Sequence, residues 1–256
     1  MIPGIQVSSF APLLTDAPAV REVFSRIRGM GCTLVQLQWI DPAVSTQAVA
    51  EALTDAGLRS VSVQDRFDAI EASPEYFLDL CLSTHSPWLC VSRIPEANLS
   101  ENGLAAFLPR LESIFSRFAA CGIRTCFHPV HSDYTFIGGV PAVYRLMDAC
   151  PELSLCLDLY HTDRSGFSMK DLLHRFKGRV CMVHFKDEHK TPDGASHLVP
   201  VGEGDIDWTG VIEACQSTDV PYAFVEQETW AGDPFDALAR SYHWLTQQPY
   251  VCIPAD

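Results

Sequence analysis

Short runs of apolar and β-branched residues alternate along this chain with segments whose apolar residues recur at helical spacing. The runs occupy residues 5–10, 33–40, 60–65, 88–94, 124–130, 153–160, 179–185 and 222–228. Each has the length and composition of a strand. From Ala17 onward, Val20, Val23, Phe24 and Ile27 share one stripe that stops at Gly31. After Ser100, Leu104, Phe107, Leu108, Leu111, Ile114, Phe115 and Phe118 form another, which ends before Gly122. Ser73-Pro74 supplies an N-cap with proline at the first helical position, and Ser168 followed by Asp171 resembles a capping box.

Eight strand-helix units in 256 residues predict an α/β fold, a single (β/α)8 TIM barrel spanning residues 1–256 as one domain. No Pro/Gly/Ser-rich stretch is long enough to divide the chain. The competing architecture is a doubly wound open sheet. The turn after the first run, SSFAPLLTD, lacks a glycine fingerprint, and Gly202-Glu203-Gly204 continues as Asp-Ile-Asp rather than as a dinucleotide motif. In a barrel, functional groups sit at the C-terminal ends of the strands, so the polar residues that close each run carry the interest.

Composition narrows the partners. With 47% hydrophobic and 20% charged residues the chain is globular, and 32 acidic against 18 basic residues give a net charge of −14. That balance argues against a nucleic-acid or anionic-membrane face. Small molecules, metal cations and further copies of the chain, as a homo-oligomer, remain as partners. No apolar run reaches the roughly 20 residues of a membrane span, and MIPGIQVSSF lacks a basic-then-apolar leader pattern, so a soluble, cytoplasmic protein is expected. The 10 cysteines are dispersed without a CxxC pair and read as reduced core residues.

Four consecutive runs close in histidine or carboxylate: His128-Pro-Val-His131, Asp158-Leu-Tyr-His161, His184-Phe-Lys186-Asp187 and Glu226-Gln-Glu228. A single such histidine is usually a satisfied core residue. Four strand ends in succession, brought side by side around one mouth, point to a site. Imidazole with carboxylate suits one divalent ion such as Mn, Co, Zn, Mg or Fe, whereas a thiolate site would recruit cysteine. Residues three apart on a strand face opposite sides, so the earlier member of the pairs His128/His131 and Asp158/His161 is the better ligand and the later one a substrate or orienting contact.

The second half of the chain resembles the xylose-isomerase-like TIM barrels, a family that includes sugar-phosphate isomerases and epimerases, inosose dehydratase and endonuclease-IV-type repair enzymes. LDLYH resembles its Asp-x-x-His element, VHFKD its His-x-Lys-Asp strand end, and PVGEGDIDW with FVEQE its Gly-Glu-Gly loop and final glutamate strand. The resemblance implies one divalent ion on His128, Asp158, His184 and Glu226. Family epimerases carry glutamate where His128 stands and use two glutamates to remove and return a proton. That puts the two-carboxylate mechanism in doubt here and leaves metal-assisted proton transfer beside a carbonyl, through an enediolate, as the expectation.

In this reading Glu226 is ligand and base, or Glu228, on the same strand face, is the base unless it is a solvated loop carboxylate. His161 and Lys186 are candidates for catalytic or substrate contacts, and His131 for a substrate contact. Gln36, Gln38, Gln64 and Asp65 either meet sugar hydroxyls or belong to packing and loops. Trp39, Phe67, Trp208 and Trp230 either cover sugar C–H surfaces or lie buried under loops. The expected function is a metal-dependent sugar isomerase or epimerase acting on a ketose, keto-sugar or cyclitol. The alternatives are a dehydratase of the inosose dehydratase type and a non-catalytic sugar-binding barrel. A repair nuclease would need three metals and a basic groove, and the first four strand ends hold no histidine. No dedicated phosphate-binding loop is visible, which favours a neutral sugar.

Overall fold

A computed structural model describes residues 1–191 and 195–253. Eight parallel strands close into a (β/α)8 barrel: β1 Ile2–Gln6, β2 Leu34–Leu37, β3 Arg59–Arg66, β4 Trp88–Ser92, β5 Arg124–His128, β6 Ser154–Asp158, β7 Val180–Phe185 and β8 Tyr222–Val225. They pair in chain order, and β8 closes the ring on β1 through Ile2 opposite Tyr222 and Ile5 opposite Val225.

Side-chain alternation sorts each strand into two faces. Val35, Leu37, Leu89, Val91, Phe127, Leu155, Leu157, Val183, Phe185 and Val225 join the large apolar cluster shared with the helices. The other face fills the bore. Leu34, Trp88, Cys90, Cys126, Cys156, Met182 and Phe224 pack there as a separate cluster. Two residues further along the same faces, Leu34 gives way to Gln36, Cys126 to His128, Cys156 to Asp158, Met182 to His184 and Phe224 to Glu226. The bore is therefore apolar below and polar at its C-terminal mouth. Gly4 makes room for this filling, because a Cβ there would collide with the Phe224 ring and the Leu34 carbonyl.

The two predicted helical stripes form Ala17–Gly29 and Glu101–Ala119, whose caps Asp16 and Ser100 accept the Ala19 and Gly103 amides at 2.8 and 3.1 Å. Ser168 accepts the Asp171 amide as expected. Ser73 precedes the helix Pro74–Ser83 but makes no side-chain cap bond; its backbone, at φ −139° and ψ 54°, lies outside the extended geometry of the other serine caps. Six of the eight expected runs extend two to four residues past the ends of their strands, and in two of them the chain turns into a helix. The first strand begins earlier and ends at Gln6, where the chain enters a 3-10 helix, Val7–Leu13, as the Gln6 side chain accepts the Ser8 amide. The sixth ends at Asp158, which caps the helix Leu159–Arg164. Of the cysteines, Cys121 and Cys252 are exposed and the other eight buried, all as free thiols. No helix among the described residues is long and apolar enough to cross a membrane.

Candidate metal centre at the barrel mouth

His128, Asp158, His184 and Glu226 each offer one ligand atom within 4.8 Å of all the others, and all four are buried. Strand register explains the convergence: Asp158 and Phe224 flank His184 on the neighbouring strands, and Glu226 follows Phe224 on the same face. His184 Nδ1 lies 3.0 Å from Glu226 Oε2 and 3.9 Å from Asp158 Oδ2, while His128 Nε2 lies 3.1 Å from His184 Nδ1 and 3.4 Å from Asp158 Oδ2.

Lys186 Nζ completes the cluster, 3.1 Å from Asp158 Oδ2, 3.1 Å from Glu226 Oε2 and 2.7 Å from Glu228 Oε1. Only the contact to Glu228 is aligned as a hydrogen bond; Asp158 Oδ2 and Glu226 Oε2 accept none. Two buried carboxylate oxygens without a donor and two ring nitrogens thus converge on one another. The Lys186 ammonium offsets part of the buried negative charge, and no aligned donor satisfies either oxygen. Three carboxylates against one ammonium, counting Asp158, Glu226, Glu228 and Lys186, leave a formal charge of −2 with neutral imidazoles. A divalent ion would balance it, so the donor set fits the ion expected from the sequence.

Surrounding groups fix the donors. Gln36 Oε1 lies 2.5 Å from His184 Nε2, so the proton sits on Nε2 and the Nδ1 lone pair faces the cluster. Gln36 Nε2 in turn donates to Gln64 Oε1 at 2.9 Å, and Gln64 Nε2 to Gln38 Oε1 at 3.2 Å. Ser8 donates to Glu226 Oε1 at 2.7 Å, and the His161 amide donates to Asp158 Oδ1 at 2.8 Å. In each carboxylate one oxygen is tied down and the other left for the cluster.

Charge and burial set the titration of the group. Burial opposes ionisation of Asp158, but the Lys186 ammonium and the His161 and His128 rings hold its carboxyl well below the usual range. Glu226 is likewise held low, with Lys186 and His184 outweighing burial. Glu228 moves the other way, raised by burial and then by the neighbouring Glu226 charge. Lys186 stays above the ordinary ammonium range because three carboxylates overcome its burial. Burial lowers His128 and pushes His161 down to about 4.

His161, expected as a substrate or orienting contact and not as a ligand, lies outside the four-donor group but close to Asp158. Past Asp158 the chain is helical, not extended, and returns His161 Nε2 to 3.8 Å from Asp158 Oδ2. His131 lies in a 3-10 turn, His131–Tyr134, exposed and outside the four-donor group, with its ring 6.1 Å from that of His161. Gln36 and Gln64 are buried, their amides engaged with His184, Gln38 and each other. Asp65 and Trp39 sit at the ends of β3 and β2, Trp208 donates to Asp187, and Phe67 is core against Phe107. Trp230 lies in the loop after β8.

Two contributors escaped the sequence reading. Ser8 lies in a helical turn rather than the expected strand. Asp187 accepts from the Glu188, Gly202 and Ile206 amides and from Trp208 Nε1, which binds the Gly-Glu-Gly loop to the end of β7. Its position directly after Lys186 in VHFKD was the available signal.

A parallel eight-stranded barrel with a buried two-histidine, two-carboxylate cluster at its mouth defines a class of α/β barrel whose mouth could hold a metal ion. The chain belongs to the xylose isomerase-like TIM barrel family, whose sequence profile matches residues 82–248. No curated protein matches by sequence. Among solved structures, the fold is similar to a sugar phosphate isomerase/epimerase from Parabacteroides distasonis, at 13% identity and TM-score 0.82 over 97% of this chain and 94% of that one. A probable 3-DHS dehydratase from Bacillus anthracis shares 17% identity at TM-score 0.72, over 97% and 100% of the two chains. A 3-keto-D-glucoside 4-epimerase from E. coli shares 17% identity at TM-score 0.68, over 95% and 98%.

Proposed function

We propose that this chain is a divalent-metal-dependent enzyme that moves a proton beside the carbonyl of a ketose, keto-sugar or cyclitol, as in isomerisation or epimerisation. The observation that carries the reading is the convergence of four donors from four consecutive strands around two carboxylate oxygens that accept no hydrogen bond. His128, Asp158, His184 and Glu226 would hold the ion. When bound, it supplies Lewis-acid polarisation of a carbonyl and compensates negative charge developing on oxygen.

The chain's own groups divide the remaining work. Glu226 Oε1 is committed to Ser8 and Oε2 faces the cluster, which makes Glu226 a ligand. Glu228 lies outside the four donors, its side chain 29% exposed and held by Lys186, so it can take a proton from substrate and exchange it with water. The Lys186 ammonium, between the ligand carboxylates and Glu228, donates to a substrate hydroxyl or developing oxyanion. His161 borders the same side of Asp158 and orients a hydroxyl.

His128 stands where a two-base epimerase has a second glutamate, so a single carboxylate base is left near the cluster. This favours a second reading, loss of water by elimination, in which Glu228 removes the proton and the hydroxyl departs from the adjacent carbon. Incubating the Mn²⁺-loaded protein in heavy water with a panel of ketoses, aldoses, inososes and 3-keto-sugars distinguishes the outcomes by mass. Deuterium gain without mass loss supports isomerisation, and loss of water supports elimination. Bound metal with neither outcome leaves a sugar-binding barrel, and metal content unchanged by His184→Ala overturns the site itself.

A further inference from the structure

Beside the cluster, on the β3 and β4 side of the mouth, stands an arginine with no counter-ion. Arg93 follows Ser92, the last residue of β4, whose register partner on β5 is His128, and the Arg93 amide donates to the His128 carbonyl at 3.2 Å. Its backbone is left-handed, φ 65°, a conformation costly for a non-glycine residue and shared among the described residues with Trp39, His85, Asp219 and Tyr250. Among the described residues the guanidinium makes no ion pair and no hydrogen bond, and its Nε is sealed from solvent without an acceptor. Eight other arginines form ion pairs, and Arg179, half-buried without one, donates to the Met147, Cys150 and Leu153 carbonyls; the half-buried Arg93 guanidinium has neither kind of partner among the described residues, in a chain of net charge −14.

The neighbouring charges decide what this arginine is free to bind. Asp133 is within electrostatic reach, but its two oxygens accept the Ile94 and Val130 amides at 2.9 and 2.8 Å. Arg66, opposite Ser92 at the end of β3, lies 5.9 Å from the Trp39 ring centroid and beside the largely buried Asp65. One fork with one uncompensated positive charge matches a monoanionic carboxylate. A phosphate dianion would bring further charge against Asp65 and Asp133. We propose that Arg93 holds a carboxylate carried by the substrate, so that the molecule processed at the metal cluster is a sugar acid or keto acid rather than a neutral sugar. This rests on the metal-enzyme reading above.

The test is calorimetric binding to the Mn²⁺-loaded full chain of two matched trios: D-fructuronate, D-fructose and D-fructose 6-phosphate, and D-tagaturonate, D-tagatose and D-tagatose 6-phosphate. Members of a trio share the hydroxy-ketone end and differ only at the sixth carbon. The acid is expected to bind at least tenfold more tightly than both partners in at least one trio. Arg93→Asn, whose side chain tolerates the left-handed backbone, removes that preference, while Arg93→Lys restores part of it because charge is kept without the fork. Mn²⁺ affinity and melting temperature stay as in the native protein. Equal binding across both trios, no binding by any member, preference for the phosphates, or an acid preference surviving in Arg93→Asn overturns the assignment. Failure of the native protein to bind Mn²⁺ instead identifies the metal reading as the one at fault.

Discussion

Gln36→Leu tests whether the cluster is a metal centre using a residue that touches no metal. Gln36 Oε1 is the oxygen acceptor of His184 Nε2–H, at 2.5 Å, and it fixes the tautomer that leaves the Nδ1 lone pair for the ion. His184 is fully buried, so removing that acceptor strands a donor at a cost of about 1–3 kcal/mol. Cys156 Sγ, 3.2 Å from the same nitrogen, is a weak substitute. The ring can recover a partner by moving its proton to Nδ1, which is the metal-facing position, and binding must then reverse that shift. Losing an outer partner of this type typically costs 10–100-fold in metal affinity, equivalent to about 1.4–2.7 kcal/mol. Gln36→Glu keeps the acceptor on His184 but loses the donor to Gln64 Oε1, so it should bind metal more tightly than Gln36→Leu. Competition with a chelator for Mn²⁺ or Co²⁺ measures both variants, with melting of the metal-free proteins as the folding control. A Gln36→Leu protein that folds and binds metal within twofold of native refutes the argument that the glutamine orients His184.

Much of the fold was legible because two periods were legible. Alternation over a few residues and stripes over longer ones identified all eight barrel strands and the helices Ala17–Gly29 and Glu101–Ala119, though not Pro234–Thr246, which is as long as the first of these. Polar closure of four consecutive strands marked the site, the family resemblance implied the set His128, Asp158, His184 and Glu226, and in the fold each stands two residues beyond a bore-filling side chain. Lys186 could be placed with them because it lies two residues after His184. Alternation no longer applies where the chain stops being extended: Asp158 caps a helix, and that turn, not a strand face, sets where His161 stands beside its carboxylate. Ser8 was hidden for the same reason, in a 3-10 turn read as strand. Gln36 was noticed, but its partner His184 lies 148 positions away and only closure of the barrel joins them. Arg93 left no periodic signal at all; its distinction is a left-handed backbone and a missing partner, both properties of the folded chain.

Four further expectations follow from these contacts. Mn²⁺ at about 100 times its Kd should stabilise the protein by about 2.7 kcal/mol and raise Tm by roughly 5–10 °C, whereas an unchanged melting curve would count against a resident ion. Alkylation of the native protein with iodoacetamide at pH 8 should label Cys121 and Cys252 alone, because burial pushes thiols such as Cys32 and Cys156 up to about 12; mass spectrometry showing a third label contradicts this. Gly204→Ala would drive a Cβ into the Asp187 carboxylate, which four donors hold in place, and should lower stability by about 1–3 kcal/mol in urea unfolding; a midpoint equal to native shows that the loop yields. Lys186→Met has opposite consequences for the two forms of the protein. Without metal, it leaves Asp158, Glu226 and Glu228 buried with no ammonium among them, a loss of about 3–5 kcal/mol by analogy with broken buried pairs. With metal, the ion takes over part of that compensation, so the loaded protein loses less. By linkage the difference must reappear as tighter metal binding, about tenfold for every 1.4 kcal/mol by which the two losses differ. Equal destabilisation of both forms, with unchanged metal affinity, would mean that the ammonium and the ion do not share the same carboxylates.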